Sequence, residues 1–151
     1  MSDANLFTVD VQKDADDPDG YDTSYVRVGP LLGATKLGLS VYELPPGQSI
    51  CPYHYEIGYE EWLIVLTGHP TLRTPDGEHE LRPWDSAFFA DGPDGAHKVT
   101  NRTDSTLRVA ILSNKDAPGA SVYPDSDKVG IWPPGKLFRL GDAVDYWDGE
   151  V

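Results

Sequence analysis

Four side chains in the middle of the sequence are of the types that bind divalent metal ions. They are His54, Glu56, Glu61 and His97. Imidazole nitrogens and carboxylate oxygens together suit Zn, Fe, Mn or Ni. A divalent ion inside an apolar barrel must replace its lost water with charged or lone-pair donors, and these side chains supply them. The sequence therefore predicts a divalent-metal site, provided that the fold brings the four residues together.

The spacing of these residues is compatible with strands that share an inner face. On a strand, His54 and Glu56 are two residues apart and point to the same face. Glu61 opens the next apolar run and shares a face with Leu63. If the two runs pair as a hairpin, and a third strand brings His97 to the same point, all four side chains converge inside a barrel.

From residue 24 onward the chain is a series of short β-type runs. They are rich in Val, Ile, Leu, Tyr, Phe and Trp and are separated by Gly, Pro and Asp. Pro75-Asp76-Gly77 predicts a hairpin turn. The predicted strands are 25–28, 35–44, 61–67, 70–73, 78–81, 86–90, 97–100 and 107–113. A helical pattern is present only weakly, near the C-terminus. Many short strands in one domain predict a sandwich or barrel.

A length of 151 residues suits one domain with one core. Residues 1–23 are predicted to form an acidic N-terminal arm, because 10–23 are rich in Asp and poor in apolar side chains. Residues 24–115 are assigned to the barrel and 116–151 to a C-terminal extension. The large apolar side chains of this extension are expected to pack on the barrel or on a second subunit. They are Trp132, Phe138, Leu140, Tyr146 and Trp147.

The charge balance excludes several classes of partner. The chain carries 25 acidic and 12 basic residues, for a net charge of −13. Such a surface repels phosphate backbones and anionic lipid, so we expect no nucleic-acid or membrane partner. No apolar stretch approaches the length of a membrane span. The single cysteine, Cys51, and an N-terminus without a signal-peptide pattern lead us to expect a cytoplasmic protein.

Residues 47–101 resemble the two sequence motifs of the cupin superfamily. The first segment has Gly47, His54, Glu61 and Gly68 in the order of the first motif. The second has Pro93, Gly95, His97 and Asn101 in the order of the second motif, with Trp84 where that motif usually has Gly. The chain is similar to small single-domain bacterial cupins. The resemblance implies an all-β double-stranded β-helix, a jelly-roll barrel of two facing sheets, and a homodimer.

The resemblance also implies a set of metal ligands, with one departure. His54, Glu61 and His97 match three of the family's four ligands, and Glu56 stands where the second His of the first motif is expected. Three outcomes are open. Glu56 ligates, which favours harder ions such as Mn²⁺ or Fe²⁺. Glu56 turns away, which leaves the two-His-one-carboxylate set of non-haem iron oxygenases. Or the site is empty, because two close carboxylates repel each other without a cation.

Two functions from different classes fit these residues. The first is a metal-dependent enzyme that acts on a small polar metabolite, as a dioxygenase or an isomerase. Glu56, where it is not a ligand, is then the candidate general base, because it lies next to the metal. The second is a non-catalytic module that binds a small molecule inside the barrel. Because this fold hosts many activities, an open site and a water-accessible pocket would favour the enzyme, and a plugged barrel would favour the module.

Residues near the motifs have more than one interpretation. Cys51 is interpreted as structural, since its sequence context is apolar and holds no activating base. Asn101 either ties down the strand end beside His97 or caps a turn. Phe88 and Phe89 line the cavity or fill the core, because strand alternation does not distinguish two successive aromatic residues.

Overall fold

The computed structural model describes residues 3–115 and 118–151. Its regular elements are almost entirely short strands, joined by one four-residue helix and single 3₁₀ turns. In chain order they are β1 (Gln12–Lys13), β2 (Ser24–Arg27), α1 (Val28–Leu31), β3 (Leu37–Leu44), β4 (Tyr55–Ile57), β5 (Glu61–Thr67), β6 (Thr71–Thr74), β7 (Gly77–Glu80), β8 (Ser86–Phe89), β9 (Lys98–Thr100), β10 (Leu107–Asn114), β11 (Gly119–Tyr123), β12 (Lys128–Trp132) and β13 (Lys136–Arg139).

These strands form three antiparallel sheets. The largest has the order β1-β2-β3-β10-β5-β8, and the two smaller ones have the orders β13-β12-β11-β4 and β7-β6-β9. The main core contains Leu63 and Val109 of the large sheet together with Leu72 and Val99 of the three-stranded sheet. Side chains from facing sheets therefore enclose one core, and the prediction of an all-β jelly-roll barrel is confirmed.

Strand alternation explains which side chains enter this core. On β5, Leu63 and Val65 are fully buried, whereas Trp62, on the opposite face, is 45% exposed. A second apolar cluster, around Val41 and Ala110, lies on the outer face of the large sheet. N-terminal side chains pack against that cluster: Ala4, Leu6, Val9 and Val11. The N-terminal segment thus covers part of the outer wall of the barrel.

Two motif glycines allow the backbone to pass close to neighbouring strands. Gly68 has a φ of +80°, and a Cβ there would lie 2.5 Å from the Cβ of Leu107. A Cβ at Gly95 would collide with the backbone of Ala90. Trp84 has a φ of 74°, in the left-handed region that favours glycine. This conformation is the physical reason for a Gly at that place in the motif.

The pairing of β4 differs from the prediction. The run that contains His54 and Glu56 was expected to form a hairpin with the run that begins at Glu61. Instead β4 pairs with β11, with Glu56 opposite Ser121, while β5 lies between β10 and β8 in the other sheet. The two strands that carry Glu56 and Glu61 therefore belong to different sheets.

The C-terminal region also differs from its weak helical pattern. It forms β11, β12 and β13, followed by the 3₁₀ turn Leu140–Asp142. Trp132 is half-buried against the barrel, whereas Tyr146 and Trp147 are 84% and 74% exposed in the single chain. Packing of these exposed side chains on a second subunit stays a prediction.

Candidate metal centre

The structure brings three of the four predicted ligands to one point. His54, Glu61 and His97 each offer a ligand atom, and these atoms all lie within 4.8 Å of one another. The two histidines are buried and Glu61 is half-buried. The group lies at the inner surface of the barrel, where sequence alternation and the motif pattern placed it.

Backbone pairing fixes the two histidines relative to each other. His54 and His97 form an isolated antiparallel bridge. The N–H of His54 donates to the carbonyl of His97 at 3.1 Å, and the N–H of His97 donates back at 2.8 Å. Glu61 reaches the same place from the first position of β5, in the large sheet. The three residues therefore come from two places: the histidines from their backbone bridge, and Glu61 from the large sheet.

Carbonyl oxygens orient both imidazole rings. Nδ1 of His54 lies 3.0 Å from the carbonyl oxygen of Pro52, and Nδ1 of His97 lies 2.9 Å from that of Gly95. A carbonyl only accepts, so each Nδ1 carries a proton, and Nε2 is the nitrogen that can offer a lone pair to a metal ion when the ring is neutral. Phe89 stacks on His97, with ring centroids 3.6 Å apart, and holds the plane of that ring.

Glu56 lies beside this group, on β4. Its Oε1 is 3.4 Å from Nε2 of His54. The hydroxyl of Ser121 lies 2.9 and 2.8 Å from the two carboxylate oxygens of Glu56 and donates to them. Trp132 Nε1–H in turn donates to the Ser121 oxygen at 2.9 Å. A chain of two hydrogen bonds therefore fixes the Glu56 carboxylate.

Burial and mutual charge shift the pKa values of the group. Burial raises the pKa of Glu61 to about 7, and the nearby charge of Glu56 adds to that effect. Burial lowers the pKa of His97 to about 3, helped by positive charge on His54. Burial also works to lower the pKa of His54, but the neighbouring Cys51 and Glu56 more than offset it, so that this pKa is raised.

These donors fit a divalent cation by their chemistry. Two imidazole nitrogens and a carboxylate oxygen converge in a buried place, and second partners orient both rings, as is usual around protein metal ions. Burial and the charge of Glu56 outweigh the positive charge of His54, so the pKa of Glu61 is raised. His54, Glu61 and His97 are thus residues that could hold a metal ion.

A cavity of about 800 Å³ opens in front of the three residues. Its lining is mixed, with hydroxyl, amide and charged groups among apolar side chains. Besides the three candidate ligands, the lining includes Arg27, Ser40, Tyr42, Glu56, Ser113 and Lys115. The barrel is therefore not plugged.

Several interpretations of single residues are refined by this geometry. Cys51 lines the cavity, and its Sγ lies 3.4 Å from Nδ1 of His54. Phe89 is buried against His97, as expected for a core residue, whereas Phe88 is 47% exposed and points outward, so neither interpretation holds for Phe88. Tyr42 lines the cavity.

Asn101 performs both of the roles considered for it. Its Nδ2 donates to the carbonyls of Leu44 and Ser105, and its Oδ1 accepts from the N–H of Thr103. The side chain is fully buried. It therefore ties the end of β3 to the turn that follows β9.

The sequence did not predict Ser121, Trp132 or Tyr123 as parts of the site. Ser121 and Trp132 hold Glu56, and the ring of Tyr123 stacks on His54 with centroids 5.8 Å apart. All three lie beyond the two motifs. The available signal was the set of large apolar side chains in the C-terminal extension, which includes Trp132 and indicates packing but no particular partner.

In the described part of the chain, no helix has the length and apolar character that crossing a membrane requires.

Comparison with known proteins agrees with the fold described above. The family model of the cupin domain matches residues 40–113. A search of curated protein sequences found no match. Among solved structures, the chain is similar to a cupin-superfamily sugar phosphate isomerase from Silicibacter pomeroyi, with a TM-score of 0.82, 23% identity, and coverage of 97% of this chain and 98% of that one.

Two further solved structures share the fold. A putative sugar phosphate isomerase from Acidithiobacillus ferrooxidans has a TM-score of 0.77 and 23% identity, with coverage of 83% of this chain and 81% of that one. The polyketide cyclase RemF from Streptomyces resistomycificus has a TM-score of 0.62 and 22% identity, with coverage of 76% and 79%. At these identities the likeness indicates a common fold and no particular reaction.

Proposed function

The chain belongs to the cupin superfamily, and from that premise we propose that it is a metal-dependent isomerase of a small polar metabolite. The substrate class is a compound with a carbonyl next to a hydroxyl-bearing carbon. His54, Glu61 and His97 would hold the divalent ion, and Glu56 would serve as the general base. The ion would be Fe, Mn, Ni or Zn.

The observation that carries this proposal is the position of Glu56. Its carboxylate contacts His54 but is not one of the three residues whose ligand atoms converge. Ser121 contacts both of its oxygens, which fixes the carboxylate without neutralising it. Of the three outcomes considered for Glu56, this geometry supports the one in which it is not a ligand. A positioned carboxylate next to a cation site suits proton transfer.

The chemistry divides between the ion and the chain. When bound, a divalent ion supplies positive charge that polarises the substrate carbonyl. Glu56 removes the proton from the hydroxyl-bearing carbon, holds it, and returns it to the former carbonyl carbon. The hydroxyl proton passes to the carbonyl oxygen, so no electrons leave the substrate and no oxidant is required. A positioned base has this use in an isomerase, and O₂ binding by a dioxygenase does not require it.

The cavity also supports an enzyme over a non-catalytic binding module. It is open, holds about 800 Å³, and has polar groups on its lining next to the three candidate ligands. Its size is within the range of small-molecule sites, so a short metabolite fits. The Silicibacter pomeroyi protein with a similar fold is a sugar phosphate isomerase, and this guides the choice of compounds for a test.

The test is isotope exchange in D₂O. Metal-free protein would be reconstituted separately with Mn²⁺, Fe²⁺, Ni²⁺ and Zn²⁺ and incubated with aldoses, ketoses and their phosphates. Proton NMR then follows loss of the carbon-bound proton and growth of the isomer. Glu56→Gln is expected to lower the rate by about 100-fold or more, in the range of general-base catalysis.

The matched control is Glu60→Gln, because Glu60 is exposed and its side chain lies outside the cavity lining. This variant is expected to exchange at the parent rate. Absence of exchange with all four ions and all compounds would overturn the proposal and leave the binding module as the better hypothesis.

A further inference from the structure

The cavity in front of the candidate metal centre has an uneven distribution of charge. Of the described Asp, Glu, Lys and Arg residues, its lining contains two carboxylates and two cations. The carboxylates, Glu56 and Glu61, lie at the metal centre. The cations, Arg27 and Lys115, come from the end of β2 and the residue after β10.

Within residues 3–115 and 118–151, no carboxylate forms an ion pair with either cation. In contrast, Arg73, Arg102 and Arg108 each contact a carboxylate. The chain has about twice as many acidic as basic residues. Two cations on one cavity that have no carboxylate partner in the described part of the chain therefore suit an anionic ligand.

Arg27 also borders a second depression, whose lining includes Asp10 and Asp14. It forms an ion pair with neither of them. Its charge acts inside the cavity as well: burial raises the pKa of Tyr42 to about 12, and the positive charge of Arg27 works in the opposite direction. The guanidinium therefore influences a phenol that lines the cavity.

Strand register places Arg27 at a useful distance from the metal centre. Arg27 pairs with Ser40, Ser40 with Ile111, and Ile111 with Leu63, and Leu63 is two residues from Glu61 on the same face. Three strand spacings, about 14 Å, separate the backbones of Arg27 and Leu63, and the two-residue step along β5 to Glu61 makes the backbone separation from Arg27 about 16 Å. Because both side chains extend over the cavity, the gap between their ends is shorter. The gap between the ends of the Arg27 and Glu61 side chains matches a molecule of a few carbons that has its reactive group at one end and an anionic group at the other.

Lys115 continues the same inner face beyond Ser113. Its N–H donates to the carbonyl of Lys36 at 2.8 Å, which prolongs the pairing of β10 with β3. A Cβ at Gly38 would lie 3.0 Å from Cε of Lys115 and 2.7 Å from Oγ of Ser113. The missing side chain at Gly38 thus leaves the space in which Lys115 crosses β3 at the cavity.

We infer that Arg27 and Lys115 form a phosphate-binding subsite of this cavity, so that the substrate is the phosphate monoester of a short sugar. This inference rests on the proposed function and adds the substrate class. A guanidinium binds a phosphate through two parallel hydrogen bonds, and an ammonium adds a point charge. The hydroxyls of Ser40 and Ser113 lie on the same face as further donors. A neutral sugar does not need two cations for binding. Without these cations, the net charge of −13 would repel a phosphate.

The subsite can be tested by calorimetric binding without turnover. The probes are glycerol phosphate, ribitol phosphate and sorbitol phosphate, which have no carbonyl to isomerise. They are compared with the same polyols without phosphate and with inorganic phosphate. At least one polyol phosphate is expected to bind about tenfold or more tightly than both its polyol and inorganic phosphate. Arg27→Gln and Lys115→Gln are each expected to weaken it by about 10- to 100-fold.

Matched controls are Arg139→Gln and Lys136→Gln, two exposed cations of β13 that lie outside the cavity lining; they are expected to bind as the parent does. Arg27→Lys, which keeps the charge, should recover part of the affinity, and melting temperatures report whether each variant folds. Equal affinity for polyols and polyol phosphates would overturn the inference, and so would parent-like binding by both cavity variants. Inorganic phosphate that binds as tightly as every ester would also overturn it.

The two proposals fail in different experiments. Tight, charge-dependent binding of a polyol phosphate without isotope exchange would reject the isomerase and keep the subsite. Isotope exchange on unphosphorylated sugars, at the same rate in Arg27→Gln, would reject the subsite and keep the isomerase.

Discussion

The hydroxyl of Ser121 contacts both carboxylate oxygens of Glu56, at 2.9 and 2.8 Å, across the pairing of β4 with β11. One small side chain therefore sets the orientation of the candidate base. The Ser121 oxygen accepts from the Trp132 indole, so its own proton points at Glu56. Positioning of Glu56 thus depends on a strand that lies outside both motifs.

Ser121→Ala is expected to slow the proposed isomerisation about tenfold through kcat, because Glu56 loses a hydrogen bond that orients it. Metal content and KM should stay at parent values, since Ser121 is not among the convergent ligands. Steady-state kinetics with elemental analysis checks this, and Ser121→Thr, which keeps the hydroxyl, should restore most of the rate. A rise in KM with unchanged kcat would contradict a positioning role.

Removal of either histidine is expected to abolish metal binding. Metal-free parent protein should gain about 4 kcal/mol of stability when an ion is present at a thousandfold excess over its Kd. For a domain of this size the gain corresponds to about 10 °C in Tm. His54→Ala and His97→Ala should show neither the bound ion nor the shift, whereas the exposed His79→Ala should show both. A parent whose Tm responds to no ion would contradict the metal site.

The pH dependence of the metal-free protein should reveal the buried Glu61. Its pKa rises from an ordinary 4.5 to about 7 on folding, through burial and the charge of Glu56. The folded state therefore binds this proton more tightly than the unfolded state does. The stability due to Glu61 is complete below pH 4.5 and is lost as the pH rises through 7.

Glu61→Gln removes this titration, so its free energy of unfolding should increase relative to the parent as the pH rises from 4.5 to above 7. Denaturant unfolding of both proteins in the presence of a chelator, at several pH values, measures the difference. Glu60→Gln, at an exposed carboxylate, is the control. A constant difference between Glu61→Gln and parent across this range would show that Glu61 has an ordinary pKa.

Asn101→Ala is expected to destabilise the fold by about 2–3 kcal/mol, because the carbonyls of Leu44 and Ser105 would lose their donor. That loss corresponds to a fall of about 5–10 °C in Tm. Asn5→Ala, which removes an exposed bond to the N–H of Phe7, should cost much less. Thermal unfolding of the parent, Asn101→Ala and Asn5→Ala measures these differences. Equal Tm values for the two variants would contradict a structural role of Asn101.

The sequence was sufficient for features that depend on local pattern. Alternation along β5 identified Leu63 as an inward residue and placed Glu61 on the same face, and the turn before Gly77 was visible in its residues. The motif spacing was sufficient to predict that His54 and His97 lie close to each other. These features require only period-two geometry or turn chemistry.

Other features depended on register between distant strands. The pairing of Glu56 with Ser121 joins strands from opposite parts of the chain, and no local property of either segment specifies it. The sequence also did not indicate which of Phe88 and Phe89 faces inward, because apolar residues on both faces of a strand remove the alternation between apolar and polar positions. Trp84 shows the reverse case: the motif expected Gly there, and the φ of 74° gives the reason.

The backbone bridge between His54 and His97 determines when a metal ion can enter during the life of the protein. The two residues lie in distant parts of the sequence and meet only through paired amides. Their nitrogens therefore stand apart in the nascent chain and come together when the barrel closes, after slow long-range pairing. Loading of the proposed site would therefore follow folding, with an ion taken from the pool present at that moment. The cellular supply of each ion, as well as its affinity, would then determine which metal occupies the site.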